Sequence, residues 1–181
     1  MAAHASGPSA GAVPRVGERL VAPEVRLQAA LDLAYRYLGR RDRTVLEVRQ
    51  HLEVKRIEPQ TIAEVLGELD RAGYLDDARY AMRFAEDRRS LDSWGAERIA
   101  RRLQAVGVAD DHVRAALGQQ DAAEERDAAV AALRRRYPVA PATERERERA
   151  LGYLIRKGYG LDLAYEAIRA AGRAAGAHDA A

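Results

Sequence analysis

An all-α fold, built as three tandem three-helix repeats, follows from three observations. Apolar residues make up 48% of the 181 positions, yet the chain has only one Phe and one Trp, so Ala and Leu must fill the core. Small, unbranched fillers suit closely packed helices better than a β-sandwich. No β-branched run alternates with the period of two that a strand requires. Apolar positions recur instead at a spacing of 51: Leu52, Leu103 and Leu154; Val48, Ile99 and Ala150; Ile57, Val108 and Tyr159; Leu66, Leu117 and Ile168; Leu31, Met82 and Leu133. Five gapless triplets describe three copies of one unit. A unit of roughly 45 residues is marginal alone, so neighbours are expected to stack, extend a shared core and form an elongated array that can curve.

The elements follow in order. Pro23 suits the first turn of a helix that carries Leu27, Ala30, Leu31, Ala34 and Leu38 and breaks at Gly39-Arg40-Arg41-Asp42-Arg43. Thr44 with Glu47 is a capping box for a second helix, Val45 to Leu52. Pro59 opens a third, with Ile62, Val65, Leu66 and Leu69 inward, and Gly73 closes it as a left-handed terminator. Asp76 and Asp77 offer carboxylates to the next helix, whose apolar face is Ala78, Ala81, Met82 and Ala85. Ser93 is expected to cap the fifth helix, with Ile99, Leu103 and Val106 inward and Gly107 ending it. Asp110 starts a short sixth helix that ends at Gly118, and a seventh runs from about Asp121 to Tyr137 before Pro138. Thr143 with Glu146 is a second capping box, for a helix that Gly158 closes. The ninth helix carries Leu161, Tyr165 and Ile168 and is expected to end at Gly172. The predicted divisions are a disordered arm over residues 1–22, repeats over 23–75, 76–120 and 121–172, and a disordered tail over 173–181.

Composition narrows function. Cysteine is absent, which excludes disulfides, thiolate metal sites and thiol nucleophiles. The four histidines stand apart, with no pair at metal-ligand spacing. No apolar run reaches the roughly 18 residues of a membrane span, and the first residues lack the charge and apolar pattern of a signal peptide. A cytoplasmic monomer without cofactor or metal is expected. Neither a P-loop, a dinucleotide fingerprint, a nucleophile elbow nor a zinc-protease motif occurs.

The acidic pair Asp76-Asp77 reads as capping rather than as metal ligands, because it follows a helix-ending Gly and no third carboxylate supports it. Glu144 to Arg149 alternate in sign and read as a solvated helix face. The basic clusters are Arg88-Arg89, Arg98 with Arg101-Arg102, Arg134-Arg135-Arg136 and Arg156-Lys157. Each could serve only a helix dipole. Taken together they can line the groove of an anionic partner, although a net charge of +2 argues against tight autonomous binding. Tyr35, Tyr37, Tyr74 and Tyr80 read as core or half-core packing.

Three segments carry a resemblance: GYLDDARYA at 73–81, SWGAERIARRL at 93–103 with Gly107-Val108 after it, and the looser LIRKGY at 154–159. In these the chain resembles the RecX family of regulatory proteins, bacterial modulators of the RecA recombinase. The resemblance covers about residues 26–171, with Arg56 standing where the first repeat often closes with Gly and Thr44 where Ser is usual. It implies three three-helix repeats and no catalytic activity. It also implies binding within the groove of the RecA–DNA filament, with inhibition of recombinase, ATPase and co-protease activities and hence modulation of DNA repair and the SOS response. Weak binding to single- or double-stranded DNA is in keeping with it. A stand-alone DNA-binding protein that reads bases from Glu97, Arg98, Arg101 and Gln104 is the alternative.

Overall fold

The structure, a computed structural model, describes residues 22–178. The arm expected at residues 1–22 lies outside this range except for Ala22, as do residues 179–181 of the expected tail. The described residues form nine helices and no strand: α1 Pro23–Leu38, α2 Val45–Val54, α3 Pro59–Arg71, α4 Asp77–Asp92, α5 Ala96–Ala105, α6 Asp110–Leu117, α7 Ala122–Arg136, α8 Glu144–Lys157 and α9 Leu161–His178. No helix among them is long and apolar enough to cross a membrane.

Every helix pair in extensive contact lies inside one three-helix unit, with the first and third helices of each unit packed most closely. The centre of each unit is the middle helix. Val48, Ile99 and Ala150 are fully buried, and so are Leu52, Leu103 and Leu154, so the 51-residue period marks the innermost positions.

The cores, however, are separate. Leu31, Leu52, Val65 and Leu69 belong to one cluster, Ala85, Ile99, Leu103 and Val113 to a second, and Leu133, Leu154, Tyr159 and Ala167 to a third. The expected shared core is replaced by three separate ones, because the units meet chiefly through helix ends.

The ends of the middle helices also obey the period. Arg56, Gly107 and Gly158 all lie in the left-handed region, with φ of 59°, 83° and 92°. In each case the following amide turns back five residues: Ile57 to Leu52 O, Val108 to Leu103 O and Tyr159 to Leu154 O, at 3.2, 3.1 and 3.1 Å. This is the Schellman arrangement, which satisfies the last free carbonyls of a helix. Gly73 ends α3 the same way, at φ 72° with Tyr74 N–H on Leu69 O at 2.9 Å. The first repeat therefore does end in a left-handed residue, carried by an arginine.

Four local expectations differ from the structure. Ser93 is no N-cap: it is the buried, left-handed residue (φ 54°) that ends α4, and Gly95 occupies the start of α5 without a side-chain cap. Met82, Leu161 and Tyr165 are exposed at 37%, 54% and 47%, while the short Ala81, Ala85, Ala164 and Ala167 fill the buried positions of the same helices. The α9 helix continues through Gly172 to His178, so residues 173–178 of the expected tail are helical. Flanking alanines offset the roughly 1 kcal/mol that a Gly costs within a helix. Tyr37 and Tyr80 are half-buried against the first and second cores, but Tyr35 and Tyr74 are exposed at 37% and 56%; Tyr80 also lines a surface groove.

Candidate anion-binding groove

The units join end to end. At the first junction the buried Thr44 hydroxyl accepts the Glu47 amide at 3.2 Å and donates to the carbonyl of Val106, the last residue of α5's end, at 2.6 Å. The Asp77 carboxylate, instead of capping its own α4, accepts the Val45 amide at the start of α2 at 3.0 Å. Burial raises the Asp77 pKa and the Val45 amide opposes the shift. Its neighbour Asp76 is the residue that caps α4, accepting Arg79 N–H at 2.8 Å.

The second junction repeats the first one period later. The Gly95 amide donates to Lys157 O at 2.9 Å and the Glu97 amide to Gly158 O at 3.0 Å. Between them the Ala96 amide donates to Glu125 of α7 at 2.9 Å. Three orphan amides of α5 thus find acceptors in the next unit, and the positive end of one helix dipole faces the negative end of another. The approach is so close that a Cβ on Gly95 would lie 2.4 Å from Gly158 O. Lys157 Nζ adds a bond to Asp92 O at 2.7 Å, and Arg135 donates to Ser93 Oγ.

Across these junctions runs a groove of about 800 Å³. Its basic lining is Arg41 from the first unit, Arg88, Arg98, Arg101 and Arg102 from the second, and Arg156 from the third. Tyr80, Phe84 and Trp94 form its aromatic lining, and no carboxylate lines it. The Tyr80, Phe84 and Arg88 side chains share a face because they recur every four residues along α4. The Tyr80 and Phe84 rings stack at 6.0 Å, and Phe84 meets Trp94 edge-on at 6.1 Å. Arg98 lies 4.1 Å over the Trp94 ring while its guanidinium donates to Arg156 O at 3.0 Å. Arg88 lies 5.2 Å over Phe84 and is paired with Asp92. Arg41 pairs with Glu47 at 2.6 Å, and Arg101 with Glu97 at 3.9 Å. Among the described residues neither Arg102 nor Arg156 is in an ion pair. Burial raises the Tyr80 pKa, so its hydroxyl is neutral near pH 7.

Five of the ten basic residues singled out from sequence therefore converge: Arg88, Arg98, Arg101, Arg102 and Arg156. The other five do not. Arg89 turns to the end of α6, donating to Ala116 O and Leu117 O at 3.3 and 3.0 Å, and burial lowers its pKa. Arg134 lines a separate furrow between α7 and α9, beside Arg126, Asp127, Glu166 and Arg169. Arg135 and Lys157 serve the second junction, and Arg136 lies over Tyr137 at 5.3 Å. Sequence reasoning missed Arg41, which looked like part of a helix break, and the roles of Phe84 and Trp94. The four-residue recurrence from Tyr80 to Arg88 and from Trp94 to Arg98 was the available signal.

Fold and groove define the class: a serial array of three-helix units that presents a composite basic surface. Comparison with known proteins gives the family. Residues 30–69, 76–117 and 123–168 match the first, second and third three-helix domains of RecX. The chain is 32% identical over 149 residues to the regulatory protein RecX of Amycolatopsis mediterranei, covering 81% of this chain and 85% of that one. To the regulatory protein RecX of Mycobacterium tuberculosis it is 35% identical over 150 residues, covering 79% and 86%. The crystal structure of RecX from Lactobacillus salivarius superposes with a TM-score of 0.72 at 20% identity, over 82% of this chain and 97% of the other. This chain belongs to the RecX family.

Proposed function

We propose that this chain is a non-catalytic regulator that binds the RecA–DNA filament and lowers its recombinase, ATPase and co-protease activities. It would thereby modulate DNA repair and the SOS response in the cytoplasm, acting as a monomer and without a cofactor. The curated relatives are named regulatory proteins, which supports the regulatory part. The observation that carries the site is the groove: six guanidiniums from three successive units, with no carboxylate among its lining residues. A filament repeats its anionic surface, and an array that touches it from several units gains by effective concentration what each weak contact lacks.

Reading of bases by α5 alone fits less well. Arg98 is engaged by Trp94 and Arg156, Gln104 Nε2 donates to Asp110 at 3.1 Å, and Arg101 has Glu97 alongside.

Titration into a RecA ATPase assay on single-stranded DNA tests the reading. Substoichiometric protein should depress hydrolysis and shorten filaments; unchanged hydrolysis and filament length would overturn it. Reversing charge at Arg101, Arg102 and Arg156 should weaken inhibition at least about tenfold, the loss of roughly one charge-assisted contact, with helicity intact. Undiminished inhibition would move the contact away from the groove.

A further inference from the structure

The groove and the second junction share atoms. Arg156 brings its guanidinium to the groove from α8, while its carbonyl accepts the Arg98 guanidinium that covers Trp94. The next two residues, Lys157 and Gly158, accept the first amides of α5. If α5 lifts from α8, the Arg156 side chain leaves the other groove cations. No shared apolar core resists that separation, because the buried clusters of the second and third units are separate. Hydrogen bonds between helix ends set the spacing, and each contributes only modestly in net terms.

The lining also specifies a ligand chemistry. Guanidinium forks match phosphate oxygens in two-point contacts. The aromatic rings and the guanidinium planes between them offer stacking faces for bases, as single-strand binding surfaces do. A trough that crosses three units suits an extended polymer. A carboxylate-rich peptide could use the forks but would leave the stacking faces idle.

We propose that a phosphodiester single strand binds this groove only when the N-terminus of α5 is seated on the C-terminus of α8, so that strand binding and junction closure are linked. The inference rests on the groove being the working surface proposed above. Linkage is reciprocal: closure raises strand affinity, and the strand stabilises closure by the same factor.

Glu125 gives a test with opposed signs. Its carboxylate lies outside the groove lining and holds the Ala96 amide. Removing a negative charge should strengthen binding of an anion if electrostatics alone governs. Loosening the junction should weaken it. Anisotropy of a fluorescein-labelled oligothymidylate, read at fixed salt on the full chain, distinguishes the two. Glu125→Ala should bind about five- to tenfold more weakly than the parent, the loss expected for one charge-assisted hydrogen bond. Glu24→Ala, which removes the same charge at the far end of the chain, should stay within roughly twofold because salt screens it. Gly95→Ala provides a second variant without charge change. Its backbone (φ −80°, ψ 167°) accepts Ala, and its new Cβ would strike Gly158 O. It should bind weakly too, with helix content unchanged by circular dichroism.

Amide exchange adds an independent readout: oligothymidylate should slow exchange at Gly95, Ala96 and Glu97. Equal or tighter binding by Glu125→Ala, or unaltered exchange at those amides, would overturn the inference. Competition by oligoglutamate of equal charge would overturn the choice of a nucleic acid ligand. RecA inhibition by a parent protein that binds no oligothymidylate would also sink it, while leaving the regulatory reading intact. Junction-dependent strand binding with no effect on RecA would do the reverse.

Discussion

Three residues at one structural position show how context sets the meaning of a side chain. Arg56, Gly107 and Gly158 each end a middle helix in the left-handed region. At Gly107 a Cβ would lie 2.5 Å from the Leu46 side chain, and at Gly158 2.3 Å from Arg98 Cβ, because a preceding unit docks there. At the same position Arg56 is exposed, so its side chain meets no such crowding among the described residues. Only the backbone cost remains, about 1–2 kcal/mol for a residue with a Cβ, part of which glycine would return as unfolded-chain entropy. Arg56→Gly should therefore stabilise by roughly 0.5 kcal/mol, whereas Gly107→Ala should destabilise by about 2 kcal/mol or more, strain and overpacking adding. Thermal melts of the two variants should shift in opposite directions. A second residue-scale test concerns Tyr159. Its hydroxyl is buried with no hydrogen-bond partner among the described residues, and burial first, then Glu125, pushes its pKa to about 12. An unfolded tyrosine ionises near pH 10, so between these values the unfolded state binds fewer protons and stability falls as pH rises. Tyr159→Phe should gain on the parent across that window by on the order of 2 kcal/mol, read from urea midpoints at pH 9 and pH 12. A constant difference would show that Tyr159 does not titrate there.

At the scale of elements, helix ends divide into those that serve one helix and those that join two. Thr44 and Thr143 both form Thr-x-x-Glu capping boxes and look alike in sequence. Thr143 is exposed and caps α8 alone. Thr44 is fully buried and also donates to Val106 O across the junction. Thr143→Ala should cost about 1 kcal/mol. Thr44→Val should cost about 2–3 kcal/mol, since it loses the cap and leaves a buried carbonyl without its donor. Chemical denaturation measures both, and equal losses would deny the junction bond its role. The starts and stops of helices were legible because capping is local chemistry. Ser93 misled because a serine after a helix and before another fits either end, and the deciding contact, Arg135 of α7, lies far along the chain.

At the scale of the whole molecule, separate cores joined by polar ends predict graded cooperativity. Each unit contributes its own stability and each junction a nearest-neighbour term. Leu154→Ala removes a fully buried side chain from the third core and should cost about 2–5 kcal/mol locally. Amide exchange should accelerate in α7, α8 and α9 while α1, α2 and α3 keep their protection. Uniform acceleration would mean that the units unfold as one. The same end-to-end arrangement lets the groove span three units, with Tyr80, Phe84 and Trp94 resting on the second core.

Sequence by itself determined the helices, their period and the family, because amphipathic spacing, capping boxes and glycine terminators act within a few residues of themselves. It also exposed the basic residues from which half of the candidate groove was picked. It could not tell Arg88, which faces Phe84 in the groove, from Arg89, which caps α6, since neighbouring side chains on a helix diverge by about 100°. Nor could it show that Asp77 caps α2 rather than its own helix, or that Gly95 is small because Gly158 O lies against it. Those assignments belong to tertiary structure alone. They depend on which helix end meets which, and distant segments carry no local trace of that meeting.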